Sequence, residues 1–565
     1  MGDILTHDAL KALLLESGVV EARDLELAEE RLKSEGGTFV QALSWYNLVS
    51  EEELGKLMAD ALHVPFVVLG ERVIDPEVLA IVPEIVARKK RLVVFMRDVE
   101  HIHVAMVNPH DVEMVSFLEK KTGLTVKVYL AMERDMENAL TRYRQGMAEA
   151  FDEIIFSDIE KVSKESGDTD PPIIRIVDTL LSYAYQNRAS DVHLEPRERD
   201  MLVRFRIDGV LHDIVKLPLV LHPQIISRIK VLAKLRIDEH QTPQDGKVNF
   251  SSDTEKEIDV RVSIIPTTEG EKVVLRLLSE RSRQFSLTNI GFSEEALALV
   301  KEAYQKPYGL ILVTGPTGCG KTTTLYSILK LLNRRHVNIV TIEDPVEYDM
   351  EGVNQIQVNP DAHLTFATGL RSILRQDPNV ILVGEIRDDE TADIAINLAM
   401  TGHLVLSTLH TNNAATAIPR LIDMNIEPFL IASTLNVIVA ERLVRKIHSA
   451  CRMSIEVPGK EVERQVGKEL FVKIFGESEP EKMIRLYRGK GCPGCHETGY
   501  EGRSGIFEVL VLNDELRKAI TDRRDAGSIE SLAVKEGMQT LLEDGLIKMQ
   551  EGLTTLDEIL RVTKE

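Results

Sequence analysis

The chain has 565 residues, of which 44% are apolar and 28% charged, and its formal net charge is −22. This composition predicts a soluble globular protein with three or four domains, since a domain usually holds about 100–200 residues. The acidic balance argues against a protein that tracks nucleic acid, because contacts to phosphates require clustered Lys and Arg. We find no apolar run long enough for a transmembrane helix and no signal peptide, and four cysteines are too few for a disulfide scaffold. We therefore expect a cytoplasmic protein.

Residues 1–145 are predicted to form an N-terminal α+β domain. A two-helix pattern that includes Gly18-Val19-Val20 recurs 29 residues later at Asn47-Leu48-Val49. Segments typical of strands follow at 64–69, 92–95 and 101–106. Because this region shows no chemical motif, we predict a docking module and not a catalytic one.

Residues 146–170 are predicted to be a linker, since they hold eight acidic residues against two lysines. A second α/β domain is expected at 171–284. It begins with a helix-periodic segment, and Asp208-Gly209 indicates a tight hairpin turn. Its predicted strands are 192–194, 202–207, 210–214, 258–264 and 272–278.

A phosphate-binding motif follows an apolar run at 310–313. The octet that fits G-x-x-x-x-G-K-[ST] is Gly315, Pro316, Thr317, Gly318, Cys319, Gly320, Lys321 and Thr322, and Thr323 comes next. Glycines allow the backbone N–H groups to face a phosphate, and the helix that follows adds positive potential. Lys321 can reach the β- and γ-phosphates, and the Thr322 hydroxyl can bind Mg²⁺. A chance glycine-rich turn is the alternative, but the strand before the motif and the helix after it favour a nucleoside triphosphate site.

Two further predicted strands each end in an acidic residue. Glu343 follows the strand at 338–342, and Glu385 follows the strand at 380–383. Beside a phosphate loop, two such carboxylates can serve the metal and the attacking water. Strands alternate with helix-length segments over 285–446, which predicts a doubly wound α/β sheet.

These features resemble the secretion and pilus ATPases, the hexameric motors of type II secretion and type IV pilus assembly. The segments that match are 315–322, Thr341–Glu347, Gly384–Asp388 and Thr401–Thr411. The resemblance implies a RecA-like phosphate-loop domain, preceded by a PAS-like α/β domain and the α+β N-terminal domain.

The resemblance also implies a function. It implies a homohexamer that hydrolyses ATP with Mg²⁺ at the inner face of the cell membrane, bound there peripherally. A membrane platform protein and other assembly proteins would convert the motion into pilin polymerisation. Type II secretion is the alternative, and a DNA-translocating ring ATPase is an alternative from another class. The net charge of −22 argues against that ring, so we expect no nucleic-acid partner.

Roles for single residues follow from the resemblance. Glu343 would orient or deprotonate the attacking water, Glu385 would act with it at the metal, and His410 would sense the γ-phosphate. For His403 and His410, ordinary strand and turn histidines are the alternative, and for His403 the choice stays open. Arg261 and Arg276 occupy the positions of the family's arginine fingers. The alternative for these two arginines is a solvated or salt-bridged strand face.

A Cys/His cluster is predicted at 447–506, before a helical region at 507–565. The residues are His448, Cys451, Cys492 and Cys495, and pairs of this spacing are typical of a structural zinc site. His496 competes with His448 as the fourth ligand, and a redox-active pair at Cys492 and Cys495 is the alternative to zinc.

Two departures from the family give further expectations. Some N-terminal modules of the family bind cyclic di-GMP, but His7–Leu10 and Thr38–Gln41 replace their Arg-Leu-Gly, so we do not expect this ligand. Cys319 stands where the family commonly has serine. We expect the positive potential near the phosphates to lower the pKa of its thiol, so that alkylation would inhibit the enzyme and ATP would protect it.

Overall fold

The computed structural model describes residues 7–17, 20, 25, 39, 43, 49, 51–72, 74–79, 81–82, 84–133, 135–136, 139–140, 170–252, 255–278, 286–476, 482–495 and 497–564. They fall into two compact units, the first made mainly of residues before 165 and the second of most residues from 165 onward. Most of the two-helix repeat, the linker apart from Asp170, and His496 lie outside the described residues. The cyclic di-GMP expectation depends in part on Thr38, Val40 and Gln41, which also lie outside the described residues.

The first unit contains a three-stranded sheet. Its strands are β1 (Leu92–Arg97), β2 (His101–Met106) and β3 (Thr125–Leu130), in the order β1-β2-β3. The described helices are α1 (His7–Ser17), α2 (Glu51–Ala61), α3 (Pro76–Leu79), α4 (Glu84–Lys90) and α5 (Val112–Thr122).

The predicted strands at 92–95 and 101–106 are confirmed by β1 and β2. The strand predicted at 64–69 is wrong. Only Phe66 forms an isolated bridge, to Leu130, and Leu69–Glu71 is a short 3-10 helix. The backbone N–H groups of Leu69 and Gly70 both donate to the Asp135 carboxylate, so a side chain satisfies donors that a strand partner would otherwise take.

The second unit begins with an antiparallel sheet of six strands. They are β4 (Asp191–Pro196), β5 (Asp200–Ile207), β6 (Val210–Pro218), β7 (Gln244–Ser252), β8 (Glu255–Thr267) and β9 (Gly270–Leu278), in the order β6-β5-β4-β9-β8-β7. Helices α6 (Asp170–Gln186) and α7 (His222–Leu232) pack on each other. Asp208 and Gly209 have φ values of 49° and 86°, which confirms the tight turn between β5 and β6.

A seven-stranded sheet forms the centre of the second unit. Its strands are β10 (Gly309–Thr314), β11 (Ile339–Glu343), β12 (Asn354–Gln357), β13 (Val380–Val383), β14 (Leu404–Leu409), β15 (Leu435–Ile447) and β18 (Tyr500–Val511), in the order β12-β11-β13-β14-β10-β15-β18. Along β10, Leu310 and Leu312 enter one hydrophobic cluster, whereas Ile311 and Val313 enter another. Both faces of the sheet are therefore covered, which confirms the doubly wound α/β class.

The remaining elements surround this sheet. The helices are α8 (Glu294–Gln305), α9 (Lys321–Leu332), α10 (Phe366–Ile373), α11 (Asp389–Met400), α12 (Ala417–Asp423), α13 (Pro428–Thr434), α14 (Gly459–Val466), α15 (Lys468–Phe475), α16 (Asp514–Thr521), α17 (Ala526–Lys535), α18 (Leu541–Gln550) and α19 (Leu556–Thr563). Strands β16 (Arg452–Pro458) and β17 (Met483–Gly489) form a separate antiparallel pair. Among the described residues, no helix has both the length and the apolarity needed to cross a bilayer.

The central sheet extends past residue 446, the end of the domain predicted from sequence. Strand β15 pairs parallel with β10, and β18 pairs antiparallel with β15. The segments predicted as 447–506 and 507–565 thus both supply residues to a strand of this sheet. Local sequence patterns do not predict this pairing, because β15 lies more than fifty residues before β18 in the chain.

Parallel pairing places several chain turns at one edge of the sheet. Strands β10, β11, β13 and β14 run in the same direction, so their carboxyl ends meet. Beyond these ends the chain supplies the phosphate loop, Glu343, Glu385 and His410. This edge is where an open α/β sheet usually binds its ligand.

The buried ion pair of Asp544 and Lys548 joins α18 to β18 and gives a stability prediction. Asp544 accepts from Lys548 Nζ at 2.6 Å and from the Phe507 N–H at 2.8 Å, and Lys548 also donates to the Gly505 carbonyl. Asp544→Ala leaves a buried ammonium without its counter-ion. We expect a loss of about 3–5 kcal/mol in the free energy of unfolding, measured by urea denaturation followed by circular dichroism.

The exposed pair of Arg236 and Asp238 provides the matched control. Its side chains are 71% and 72% exposed, so Asp238→Ala should leave the free energy of unfolding almost unchanged. Adding Lys548→Met to Asp544→Ala should recover part of the stability. Equal effects of Asp544→Ala and Asp238→Ala would contradict the prediction.

Candidate nucleotide-binding site

A cavity of about 800 Å³ opens at the carboxyl edge of the seven-stranded sheet. This volume is in the range of small-molecule sites. One wall is formed by the phosphate loop and the strand ends described above. The antiparallel sheet and its turns supply another wall, with Ser190, Asp191, His193, Arg206, Gly209, Val274 and Arg276.

The phosphate loop joins β10 to α9 and supplies six cavity-lining residues. These are Thr317, Gly318, Gly320, Lys321, Thr322 and Thr323, whereas Gly315, Pro316 and Cys319 are not among the described residues that line the cavity. Gly320 has φ = +113° and immediately precedes α9, so the helix N-terminus points its N–H groups into a site suited to anions. A Cβ atom at Gly320 would lie 2.0 Å from Glu441 Oε1, which leaves glycine as the residue that fits.

Lys321 is held close to the loop. Its Nζ donates to the carbonyl oxygens of Gly315 and Pro316, at 2.9 Å each. Burial lowers the pKa of this ammonium, and the carboxylates of Glu441 and Glu385 partly oppose that shift. The lysine is therefore already oriented within the loop by backbone acceptors.

The expectation of a lowered pKa at Cys319 is wrong. The side chain is only 4% exposed, and burial raises the pKa of its thiol to about 11, with a further contribution from the Glu441 carboxylate. Lys321 acts in the opposite direction but is outweighed. The loop motif predicts the positive potential near Cys319. It does not predict the buried Glu441 carboxylate below the loop, because Glu441 lies on β15, a strand that sequence reasoning missed.

Glu343 ends β11 and lines the cavity, although it is only 3% exposed. Thr341 Oγ1 donates to its Oε1 at 2.6 Å, and the Tyr326 hydroxyl donates to its Oε2. Burial raises the pKa of Glu343, and these hydroxyl donors partly oppose the shift. The carboxyl group is thus fixed in place at the cavity wall.

Glu385 lines the cavity beside two basic side chains. Its Oε1 pairs with Arg387 Nη2 at 2.5 Å, and its Oε2 lies 3.4 Å from His410 Nε2. Burial lowers the pKa of His410, and the Lys321 charge lowers it further. His403 lies at the opposite end of β14, where its Nδ1 is 3.0 Å from the Leu398 carbonyl oxygen. Of the two histidines in the matching segment Thr401–Thr411, the structure brings His410 to the cavity and not His403.

The oxygen-rich composition of this wall suits Mg²⁺. The side chains of Thr322 and Glu385, a hydroxyl and a carboxylate, both line the cavity. Mg²⁺ prefers such oxygen ligands and usually keeps several waters. These residues therefore fit a magnesium-bound triphosphate.

The two predicted arginine fingers occupy different surroundings. Arg276 lines the cavity, and its Nε donates to Asp191 Oδ1 at 3.0 Å. Arg261 is not among the described residues that line this cavity. It forms an ion pair with Glu347 at 2.9 Å and donates to the Val346 carbonyl.

Sequence reasoning missed a third arginine, Arg206. In the antiparallel sheet, Asp191 pairs with Arg206 on one side and with Arg276 on the other, across the order β5-β4-β9. Arg206 Nε lies 3.6 Å from Asp191 Oδ2. The alternation within β5 could have suggested an arginine face. Only the strand pairing shows that Arg206 and Arg276 share the Asp191 carboxylate. Arg387 and Arg503 also line the cavity.

Glu441 was missed as well. This carboxyl group on β15 is buried below the phosphate loop, and Thr324 Oγ1 donates to its Oε2 at 2.7 Å. Burial raises the pKa of Glu441 to about 8. It supports the loop from below and does not line the cavity among the described residues.

The predicted Cys/His residues lie together. One ligand atom from each of His448, Cys451, Cys492 and Cys495 lies within 4.8 Å of the others. Cys492 Sγ and Cys495 Sγ are 3.7 Å apart. Two thiolates at about 2.3 Å from a tetrahedral zinc would be separated by about 3.8 Å, so this donor set fits zinc. His448 Nε2 lies 3.2 Å from Glu501 Oε2, a partner of the kind that orients metal-binding histidines.

The buried Cys319 thiol gives a labelling prediction. With a pKa of about 11, only about a thousandth of this thiol is ionised at pH 8, and the side chain is shielded from reagent. We expect iodoacetamide to modify Cys319 at least about 100-fold more slowly in native protein than in urea-unfolded protein, as measured by peptide mass spectrometry. The native rate should increase as pH rises from 8 to 10. Rapid modification at pH 8 would contradict the prediction, and the unfolded sample serves as the control.

Comparisons with known proteins agree with this architecture. The family model for "Type II/IV secretion system protein" matches residues 166–561, and that for the MshEN domain matches residues 62–150. The type IV pilus assembly ATPase PilB of Myxococcus xanthus is 39% identical, over 98% of this chain and 98% of its own length. Type II secretion system protein E of Xanthomonas campestris pv. campestris is 41% identical, again over 98% of each chain.

A solved structure supports the fold. The X-ray structure of the Legionella pneumophila ATPase DotB superposes with a TM-score of 0.50 at 21% identity, covering 69% of this chain and 95% of that one. With the phosphate loop and the strand-end carboxylates in one cavity, these similarities show that the chain belongs to the type II/IV secretion system protein family and is an ATP-hydrolysing enzyme.

Proposed function

We propose that this ATPase is the motor of type IV pilus assembly. It would work in the cytoplasm as a homohexamer, bound peripherally to the inner face of the cell membrane through a platform protein. The observation that carries the proposal is the cavity in which a phosphate loop, two strand-end carboxylates and arginines of the antiparallel sheet meet. The similarity to PilB over nearly the whole chain supports pilus assembly.

The phosphate loop would bind the triphosphate. The α9 N-terminus and Lys321 favour negative charge at the β- and γ-phosphates. Thr322 and Glu385 would hold Mg²⁺, directly or through water, and this ion supplies charge neutralisation of the phosphates when bound.

Hydrolysis would depend on Glu343 and on residues around it. Glu343 would orient the attacking water and accept its proton. Arg276 and Arg206 would face negative charge that develops on the transferred group, and His410 would respond to the γ-phosphate. Arg261, paired with Glu347, would act next to this site and not within it.

Mechanical work would come from a movement of one cavity wall relative to the other. The ligand contacts both the phosphate-loop sheet and the antiparallel sheet, so its hydrolysis alters the interactions that hold these walls together. The platform protein would use this movement to add pilin subunits.

Type II secretion is the second candidate. The protein E relative is 41% identical over 98% of both chains, so sequence similarity supports type II secretion as it supports pilus assembly. The experiment below separates them.

A chromosomal Glu343→Gln allele tests the proposal. Removing the base should lower kcat for ATP hydrolysis by about 10²–10⁴-fold while ATP still binds. In the organism that encodes the protein, we expect loss of surface pili, with retention of protein secretion. Electron microscopy counts the pili, and assays of the culture medium measure the secreted proteins.

The exposed residue Glu302 on α8 provides the matched control, since Glu302→Gln removes a carboxylate away from the cavity. This variant should keep both pili and ATPase activity. Normal pili together with lost secretion in the Glu343→Gln strain would contradict the pilus-assembly proposal and would support type II secretion instead.

We also propose that the four Cys/His residues bind one structural zinc ion. Purified protein should contain about one zinc per chain by plasma mass spectrometry, and Cys492→Ser should lose most of it, because three ligands hold the ion far more weakly. Cys319→Ser is the control and should retain zinc, since Cys319 lies outside the cluster. Zinc content unchanged in Cys492→Ser would disprove the site.

A further inference from the structure

Tyr326 lies behind Glu343, on the helix that follows the phosphate loop. The side chain is fully buried, and its hydroxyl donates to Glu343 Oε2. Its ring packs edge-on against Tyr348, with centroids 4.7 Å apart and an interplanar angle of 79°. Tyr326 does not line the nucleotide cavity among the described residues, so any effect on the reaction must pass through Glu343.

The other Glu343 oxygen has its own donors. Oε1 accepts from Thr341 Oγ1 at 2.6 Å and from Gln355 Nε2 at 3.4 Å. Because a carboxylate oxygen can accept about two hydrogen bonds, Oε1 is saturated. Oε2 takes one bond from Tyr326 and retains capacity for a second, which makes Oε2 the oxygen suited to a water molecule.

We propose that Tyr326 is a positioning residue, whose hydroxyl fixes the Glu343 carboxylate so that Oε2 is presented to the attacking water. The inference rests on the proposed role of Glu343. It also connects phosphate binding to the base, since helix α9 begins with the phosphate-binding Lys321 and carries Tyr326 further along. Phosphate binding and orientation of the base thus depend on one rigid element.

The hydrogen bond from Tyr326 also affects the pKa of Glu343. Burial raises the pKa of Glu343, and the nearby Glu347 carboxylate raises it further. Strand β12 presents the uncharged amide of Gln355, and the segment after β13 packs Gly384 against Glu343. The hydroxyls of Tyr326 and Thr341 are therefore the groups that favour the ionised base, with help from Gln355.

Tyr326→Phe tests the inference, because it removes one oxygen and preserves the ring. Loss of a donor to the carboxylate raises the pKa of Glu343, so the base becomes protonated at higher pH. We expect the acidic limb of the kcat–pH profile to move to higher pH. We also expect the maximal kcat to fall by about 10-fold, because the carboxylate is no longer held in position. KM for ATP should stay within about 2-fold, since no phosphate contact is lost.

Three further variants make the result decisive. Ser327→Ala removes a hydroxyl from the same helix that donates to the Thr323 carbonyl, and it should leave the pH profile unchanged. Thr341→Val removes the donor to Oε1 and should move the acidic limb in the same direction as Tyr326→Phe, which keeps the test available if Tyr326→Phe does not fold. An active Glu343→Gln enzyme would overturn the proposed role of Glu343 itself. An inactive Glu343→Gln enzyme, together with an unshifted profile in folded Tyr326→Phe, would overturn the positioning role alone.

Discussion

Parallel pairing of the central strands is the constraint on which the site depends. Strand β10 pairs in parallel with β14 and β15, and β13 pairs in parallel with β11 and β14. The backbone register therefore decides which residues stand at the carboxyl edge, before any side chain interacts with another. A slip of one residue in β11 would turn Glu343 to the opposite face of the sheet.

Burial is the second determinant of the site, and it differs among the acidic groups. Glu343 and Glu441 both lie almost out of contact with solvent, and both have raised pKa values, whereas Glu385 is paired with Arg387. The carboxyl groups around the phosphate loop thus differ in burial and in their charged partners.

Local patterns predicted much of the fold and part of the site. The phosphate loop, the acids after β11 and β13, and the hairpin at Asp208 are encoded by contiguous residues, so spacing was sufficient to find them. Arg206 and Glu441 were not found, since their importance arises from the pairing of β4 with β9 and of β10 with β15, strands that are distant in the chain. The pKa of Cys319 was mispredicted because burial raises it, with a further contribution from the Glu441 carboxylate on β15.

The row of Arg206, Asp191 and Arg276 across three neighbouring strands has a consequence for ligand choice. Both guanidinium groups already face a carboxylate, so an entering anion must compete with Asp191 for them. A carboxylate carries one negative charge, whereas the terminal phosphate of a triphosphate carries more and offers three oxygens. In the proposed function, Asp191 would therefore compete with the ligand for these two arginines. An anion with weak or dispersed charge would displace it less readily than a fully charged terminal phosphate.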